Sequence, residues 1–373
     1  MRTSPPAGAL MSLEAALAAL LEGLSPVTPR LVPLDAALGR VAAEMPIVTS
    51  ALPACDIAAI DGWACRALDF VGASAYSPLA LASSPAWVET GDVMPRGCDS
   101  VLQADFLDAS GPLVLAVGEA TPGHGVRRAG EDIAPGRSPA IAGRLIRRID
   151  LMVARRLGIS SLAVRSPRVR LIDVLGGDTF SARFVADRLT AAGATVTAIQ
   201  TTARDAASIA AALDGEDGDL LVLIGGTGEG RTDATAEALA RRGALIAHRI
   251  ALRPGGTMAI GRLGGMPVVA LAGSPDQALG GFLAVVQPVL MRLSGRSETA
   301  GIFLPLSRKI ASAVGLCEIV LLGRERDMWT PLATGDFSLD AIRAAEAWLA
   351  VSGDSEGHAA AMPVAAFPLH DMN

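Results

Sequence analysis

Aromatic residues are scarce in this chain of 373 residues, at 3%. That scarcity excludes the stacking platforms on which single-stranded nucleic acids lie. It also leaves the core to Ala, Val, Leu and Ile. Basic tails and Lys/Arg runs are missing too, and the formal net charge is −6. A general grip on DNA or on an anionic membrane is therefore excluded, whereas a small anion held by local Arg side chains and backbone amides is not. The cysteines Cys55, Cys65, Cys98 and Cys317 form no Cys-x-x-Cys pair, and the four histidines are scattered. Neither a zinc site nor a disulfide framework is expected, so the thiols are read as reduced. The N-terminus lacks a basic stretch ahead of an apolar one, because Glu14 and Glu22 interrupt it, and no run of ~18 uncharged apolar residues follows. The expectation is a cytoplasmic chain without a membrane span.

What is present is a globular composition, 51% hydrophobic and 19% charged, in a chain too long for one core. After a Pro/Gly-rich tail, Ser12 reads as the cap of a helix. Leu13, Ala16, Leu17, Leu20, Leu21 and Leu24 place an apolar stripe on one face of it. Residues 34–44 repeat the pattern on a smaller scale, and 149–158 look helical again. Between them, residues 45–137 mix short apolar runs with frequent Pro, Gly and Ser, which predicts a β-rich module with many turns. This reading gives a helical domain at 10–44 and 138–165 with the β module inserted. Residues 166–297 then alternate strand and helix: strands at 169–175, 195–199, 220–224, 244–250 and 268–271, and helices at 180–192, 205–213, 233–241 and 275–293. That alternation predicts an α/β domain with a mainly parallel sheet, whose ligands bind beyond the carboxyl ends of its strands. A small β domain is expected at 298–373.

Several segments carry chemistry-bearing residues. Gly225, Gly226, Thr227, Gly228 and Gly230 follow an apolar strand and precede a helix begun near Asp233. Glycines there allow a sharp turn and close backbone approach, and a helix N-terminus offers amides to an anion. The stretch nearly spells a P-loop, but Arg231 stands where the lysine belongs. The other reading is a structural glycine turn. Arg253-Pro254-Gly255-Gly256-Thr257 offers one guanidinium, or is an ordinary Pro-Gly turn with a solvated Arg. Gly273-Ser274-Pro275 opens the last helix. Ser274 as cap and Gln277 as capping-box partner explain it alone, though its place after a strand makes it a second candidate anion site. In the β module, Asp61 lies beside Gly62. Thr90-Gly91 with Pro95 and Gly97, and Gly130-Glu131-Asp132-Ile133, are further polar turns.

Taken in order, these segments resemble the MoeA/gephyrin-E family over nearly the whole chain. Gly39-Arg40, Asp61-Gly62-Trp63-Ala64, Thr90-Gly91, Gly130-Glu131-Asp132-Ile133, Gly225-Gly226 with Gly230 and Asp233, and the loops at 253–256 and 271–275 all fall where that family has its motifs. The resemblance implies a helical domain interrupted by a β domain, an α/β molybdopterin-binding domain and a C-terminal β domain, with two chains forming an elongated dimer. The family's cleft lies between the α/β domain of one subunit and the β domain of the other. The implied chemistry is hydrolysis of adenylylated molybdopterin coupled to molybdate insertion, with Mg²⁺ assisting. Asp61, Thr90, Asp132 and Asp233 become candidate catalytic residues, with Thr90 as a donor to an oxyanion. The three aspartates are also candidate metal neighbours. Gly225, Gly226, Thr227, Gly230, Arg253, Gly273, Ser274, Pro275 and Ser338 become candidate contacts to the pterin substrate. A molybdopterin adenylyltransferase and a molybdoenzyme are the implied partners.

The chain departs from the family at several positions. Arg253 and Gly256 replace two lysines, Ala272 replaces a proline and Gly228 a serine. Gly176-Gly177-Asp178-Thr179 stands for a longer acidic segment. A catalytically degenerate protein that binds or carries molybdopterin is the alternative reading, with a P-loop-like NTPase behind it.

Overall fold

The computed structural model describes residues 10–174, 180–215 and 218–369. The Gly176–Thr179 segment singled out above lies outside the described residues. The chain divides into two units, one of residues 45–139 and 153–159, the other of residues 1–44, 140–152 and 160–373.

The smaller unit is built from strands of two to four residues. Gly62–Cys65 lies between Ala86–Val88 and Ser100–Leu102, and Ile57–Ala58 pairs with Val126–Arg127. A Cβ at Gly62 would stand 2.3 Å from the Leu102 carbonyl oxygen, so this position admits only glycine. Opposite each other on neighbouring strands, Trp63 and Trp87 meet edge to face with centroids 5.0 Å apart.

The larger unit is organised by a six-stranded sheet. Its strands are β1 (Arg168–Val174), β2 (Thr195–Thr202), β3 (Leu220–Ile224), β4 (Leu245–His248), β5 (Ala259–Leu263) and β6 (Met266–Leu271), in the spatial order β2-β1-β3-β6-β5-β4. The first four in that order run parallel. All five residues of β3 are buried: Leu220, Val222 and Ile224 enter one core, Leu221 and Leu223 the other. Covered faces on both sides explain an apolar run without alternation, each leucine contributing roughly 1.5–3 kcal/mol. The sequence reading overlooked β5. It forms a two-residue hairpin with β6 through Gly264 and Gly265, both at positive φ, and pairs antiparallel with both β6 and β4, so β5 runs against the other five strands.

Two other expectations change in detail. The helix Leu13–Leu21 starts as read, with Ser12 accepting from the Ala15 amide. The next is a single turn, Leu34–Ala37, stopped by Gly39 at φ 71°. Val41–Ala42 then joins Ser161–Arg165 and Arg30–Pro33 in an antiparallel sheet, so the helical domain is not purely helical. The long last helix carries a π-helical turn, Phe282–Val286, between Pro275–Gly281 and Gln287–Ser294. Pro288 has no N–H for the Ala284 carbonyl, which accounts for the break in ordinary helical bonding.

The C-terminal strands form a second sheet, in which Cys317–Glu325 is flanked by Ala347–Val351 and Met328–Thr334. Ile319 and Leu321 face the core of the α/β sheet, while Val320 and Leu322 face the C-terminal core. Leu252–Arg253 pairs in parallel with Cys317 and Glu318. Arg253 therefore sits on the edge of the C-terminal sheet, not at the end of an α/β strand as its sequence context implied.

A candidate anion-binding site at the strand ends

The loops after β2, β3 and β6 leave the same carboxyl edge of the sheet and enclose a hollow of about 330 Å³. Arg204, Gly226, Thr227, Asp233, Gly273 and Gln277 are among its lining residues. The glycine loop is pinned from below. The Gly225 amide donates to the Leu271 carbonyl (2.9 Å), and Thr235 donates its hydroxyl to the Gly225 carbonyl (2.9 Å) and its amide to that of Gly226 (2.9 Å). Gly226, at φ 67°, has no room for a side chain, because a Cβ would lie 2.6 Å from Thr235 Oγ1. Replacing it would deform the loop itself.

Thr227 is 2% exposed, and its Oγ1 has no hydrogen-bond partner. Buried hydroxyls are normally satisfied, and Thr227 lines the hollow, so its Oγ1 is open to a ligand or water atom there. Its carbonyl lies 2.8 Å from His248 Nε2. A carbonyl only accepts, so that ring nitrogen carries the proton. Asp233 accepts from the Gly230 amide (2.9 Å) and from Arg204 Nη2 (2.9 Å), and Arg204 Nε is buried without a partner.

Two sequence expectations are corrected at this loop. The helix behind it starts at Thr235, two residues after the expected Asp233, and its first amide is already spent on the Gly226 carbonyl, so that amide is not offered to an anion. Ser274 occupies the N-cap position of the last helix, with Pro275 after it, but makes no side-chain cap bond. Gln277 closes no capping box and instead receives the Thr257 hydroxyl on Oε1 (3.3 Å). Buried Ser181 donates to the Gly273 carbonyl (2.7 Å) and fixes that loop.

Thr257 and Gln277 also line a second hollow of about 430 Å³, together with Arg249, Arg253, Gly255 and Asp336. The two cavities thus share a wall. Gly256 cannot carry the family's lysine on this backbone, because a Cβ there would stand 2.6 Å from the Leu252 carbonyl oxygen. Ser338 is placed otherwise than expected for a pterin contact: its hydroxyl accepts from the Ala341 amide and caps the helix Leu339–Ala344.

In the smaller unit, Asp61 Oδ1 accepts from both the amide (2.7 Å) and the hydroxyl (2.8 Å) of Thr90. Those bonds hold the Asp61 carboxyl below the usual carboxylate range. Thr90 has given its one hydroxyl proton to Asp61, so the oxyanion-donor role expected of it is not available in this arrangement. Asp132 lies 3.5 Å from Arg127. A depressed folded pKa stabilises above the unfolded value and is lost as pH falls through the folded one. The Thr90 amide should therefore stay protected from hydrogen exchange at neutral pH and lose protection in acid, below the ordinary aspartate range. In Asp61→Ala it should be unprotected throughout. Equal protection in that variant would show that Asp61 does not hold the turn.

Sequence reasoning missed Arg204, included Thr257 only as the end of the loop begun at Arg253, and read Gln277 as part of a cap. Arg204 had a signal: it lies two residues past the end of β2, where ligands of such sheets are held. Thr257 ends the loop begun at Arg253, but its contact with Gln277 arises only when the last helix packs back against that loop.

Fold and site together define a multidomain α/β protein with a glycine-loop pocket beyond its strand ends. Residues 11–158 match the sequence model of the MoeA N-terminal region (domain I and II), and residues 177–292 that of the probable molybdopterin binding domain. Molybdopterin molybdenumtransferase 2 of Mycobacterium tuberculosis is 28% identical over 319 residues, 75% of this chain and 78% of that protein. The molybdopterin molybdenumtransferase of Haemophilus influenzae is 24% identical over 320 residues, covering 78% of this chain and 79% of its own. A solved molybdopterin biosynthesis MoeA protein from Pyrococcus horikosii superposes with a TM-score of 0.69 at 26% identity, covering 96% of this chain and 98% of that one. The chain belongs to the MoeA family.

Proposed function

We propose that this chain works in molybdenum cofactor biosynthesis as a molybdopterin molybdenumtransferase, inserting molybdate into adenylylated molybdopterin with release of AMP. The observation that carries the proposal is the unpartnered Thr227 hydroxyl in the glycine-loop hollow, whose wall is shared with the hollow of Arg253. A pyrophosphate bridging two organic groups needs such adjacent cationic and hydroxyl-bearing sites. In this reading Arg204 and Arg253 offset phosphate charge, Thr227 donates to a phosphate oxygen, and the glycine loop admits the ligand close to the backbone. Relatives in Mycobacterium tuberculosis and Haemophilus influenzae that bear the transferase name support it.

Mg²⁺ fits less well. Among the described residues no group of three His, Cys, Asp or Glu side chains is placed to hold a metal ion. Asp61, Asp132 and Asp233 are already engaged by Thr90, by Arg127, and by Gly230 with Arg204. The engagement of Asp233 by Arg204 favours the second reading, a carrier that holds the pterin without turnover. Purified protein given adenylylated molybdopterin and molybdate, with and without Mg²⁺, decides between them. AMP release supports the transferase, and tight binding without release leaves the carrier.

We also propose a homodimer, in which Asp61 and Asp132 of one subunit serve the hollow of the other. Light scattering at micromolar concentration should give twice the chain mass, and a monomer alone would count against the shared site. A molybdopterin adenylyltransferase as supplier and a molybdoenzyme as recipient complete the proposal, set in the cytoplasm. No helix of the described residues is long and apolar enough to cross a membrane.

A further inference from the structure

We infer that Glu318 is the positioning residue of the second hollow, holding one edge of the Arg253 guanidinium so that the other edge faces an incoming phosphate. The inference rests on the proposed function only for the identity of that phosphate. Glu318 is 4% exposed, an unusual place for a carboxylate. It lies directly across from Arg253 in the parallel pair that joins the two strands. Its Oε2 accepts from the Ala313 amide (3.1 Å), and its Oε1 faces Arg253 Nη1 at 3.6 Å. Gly335, at φ 66°, closes over the pair: a Cβ there would stand 2.6 Å from Glu318 Oε1 and 3.1 Å from Arg253 Cδ. The absence of a side chain at Gly335 is thus what lets carboxylate and guanidinium share the space.

The Arg253 side chain remains 55% exposed. A guanidinium has five N–H donors in a fixed fork, so an edge given to Glu318 leaves others directed at the hollow. A long side chain anchored at one edge has less freedom to lose when it meets a ligand. A lysine head is a single compact charge and cannot divide itself between two fixed directions in the same way. Glu318 therefore also accounts for arginine as the residue that suits this position. If Glu318 instead competed with the ligand for Arg253, its removal would tighten binding, which gives the alternative an opposite sign.

The test is a double-mutant cycle read by calorimetric titration with inorganic pyrophosphate, a probe that does not depend on pterin chemistry, and then with adenylylated molybdopterin. Glu318→Gln keeps the shape and an acceptor for the Ala313 amide. It should weaken pyrophosphate binding about tenfold, the scale of one bond to a charged group. Glu318→Asp keeps the charge but shortens the reach and should lose as much. In an Arg253→Ala background, neither change should cost further affinity. Unchanged or tighter binding by Glu318→Gln overturns the inference, as does an equal loss without Arg253, which would mark Glu318 as merely structural. Should the cycle hold with pyrophosphate while adenylylated molybdopterin fails to bind, the positioning role stands and the transferase reading falls.

Discussion

Arg253→Ala is expected to weaken binding of adenylylated molybdopterin by about 2–4 kcal/mol, the range for truncating one partner of a charged, hydrogen-bonded contact. The change removes a fork-shaped donor set from a loop where relatives by family pattern carry two lysines, and Gly256 supplies no second cation. Stability should fall as well, because Glu318 would be left buried without its counter-charge. That loss is discounted to about 1–2 kcal/mol, since the Arg253 side chain is 55% exposed and partly screened by water. Titration gives the first quantity and thermal unfolding of the ligand-free protein the second. Arg253→Lys should recover only part of the affinity, because a point charge cannot reproduce the bidentate grip. Equal affinities for wild type and Arg253→Ala would remove Arg253 from the site and weaken the transferase assignment with it.

The same residue shows how far sequence carried the site. Reading 253–256 as an anion loop located Arg253 but attached it to the wrong sheet, because a two-residue strand, Leu252–Arg253, has no periodicity of its own. Its pairing with Cys317–Glu318 is a contact across more than sixty residues of sequence, set by packing alone. Replacement of the family lysines also looked like local decay. Lys309 is the chain's one lysine among 32 Lys and Arg residues. Arginine for lysine is thus a habit of the whole chain, and says less about Arg253 than its contact with Glu318 does.

The fold was legible where burial is uniform and long. β3 was read to the residue, because five consecutive apolar side chains between turn signals leave little choice. β5 was missed because Gly261 and Arg262 interrupt its apolar run. The strand Cys317–Glu325 was read only in its middle, at 318–322, because its exposed end is shaped by pairing with Met328–Thr334. In the smaller unit, short strands between prolines and glycines were expected as a class, but no local rule fixes which of them pair. Asp61 and Thr90 were named separately. Their mutual bond, which spends the Thr90 proton, depends on a tertiary turn that neither motif encodes alone.

Thr227→Val should move stability and binding in opposite directions. Valine matches threonine in shape, so the buried space of the glycine loop stays filled, and only the hydroxyl is removed. That hydroxyl lies among buried atoms and has no partner in the ligand-free chain. An unsatisfied buried polar group costs about 1–3 kcal/mol, so its loss should raise the unfolding free energy of the free protein, by about 1 kcal/mol if a water ordinarily relieves part of the strain. With ligand the sign reverses. A hydroxyl donating to a phosphate oxygen forms a charge-assisted bond worth about 1.5–3 kcal/mol, and valine cannot make it. Affinity for adenylylated molybdopterin should therefore fall roughly tenfold or more while the thermal midpoint of the free protein rises. Thr227→Ser keeps the hydroxyl and loses a methyl group, so it should show the converse: near-normal affinity and lower stability. The pair of variants separates a ligand contact from a packing role, because packing alone predicts that valine is harmless to binding. A Thr227→Val protein of normal affinity would leave the hydroxyl without a function at the site, and the glycine-loop hollow would lose the observation on which the proposed reaction most depends.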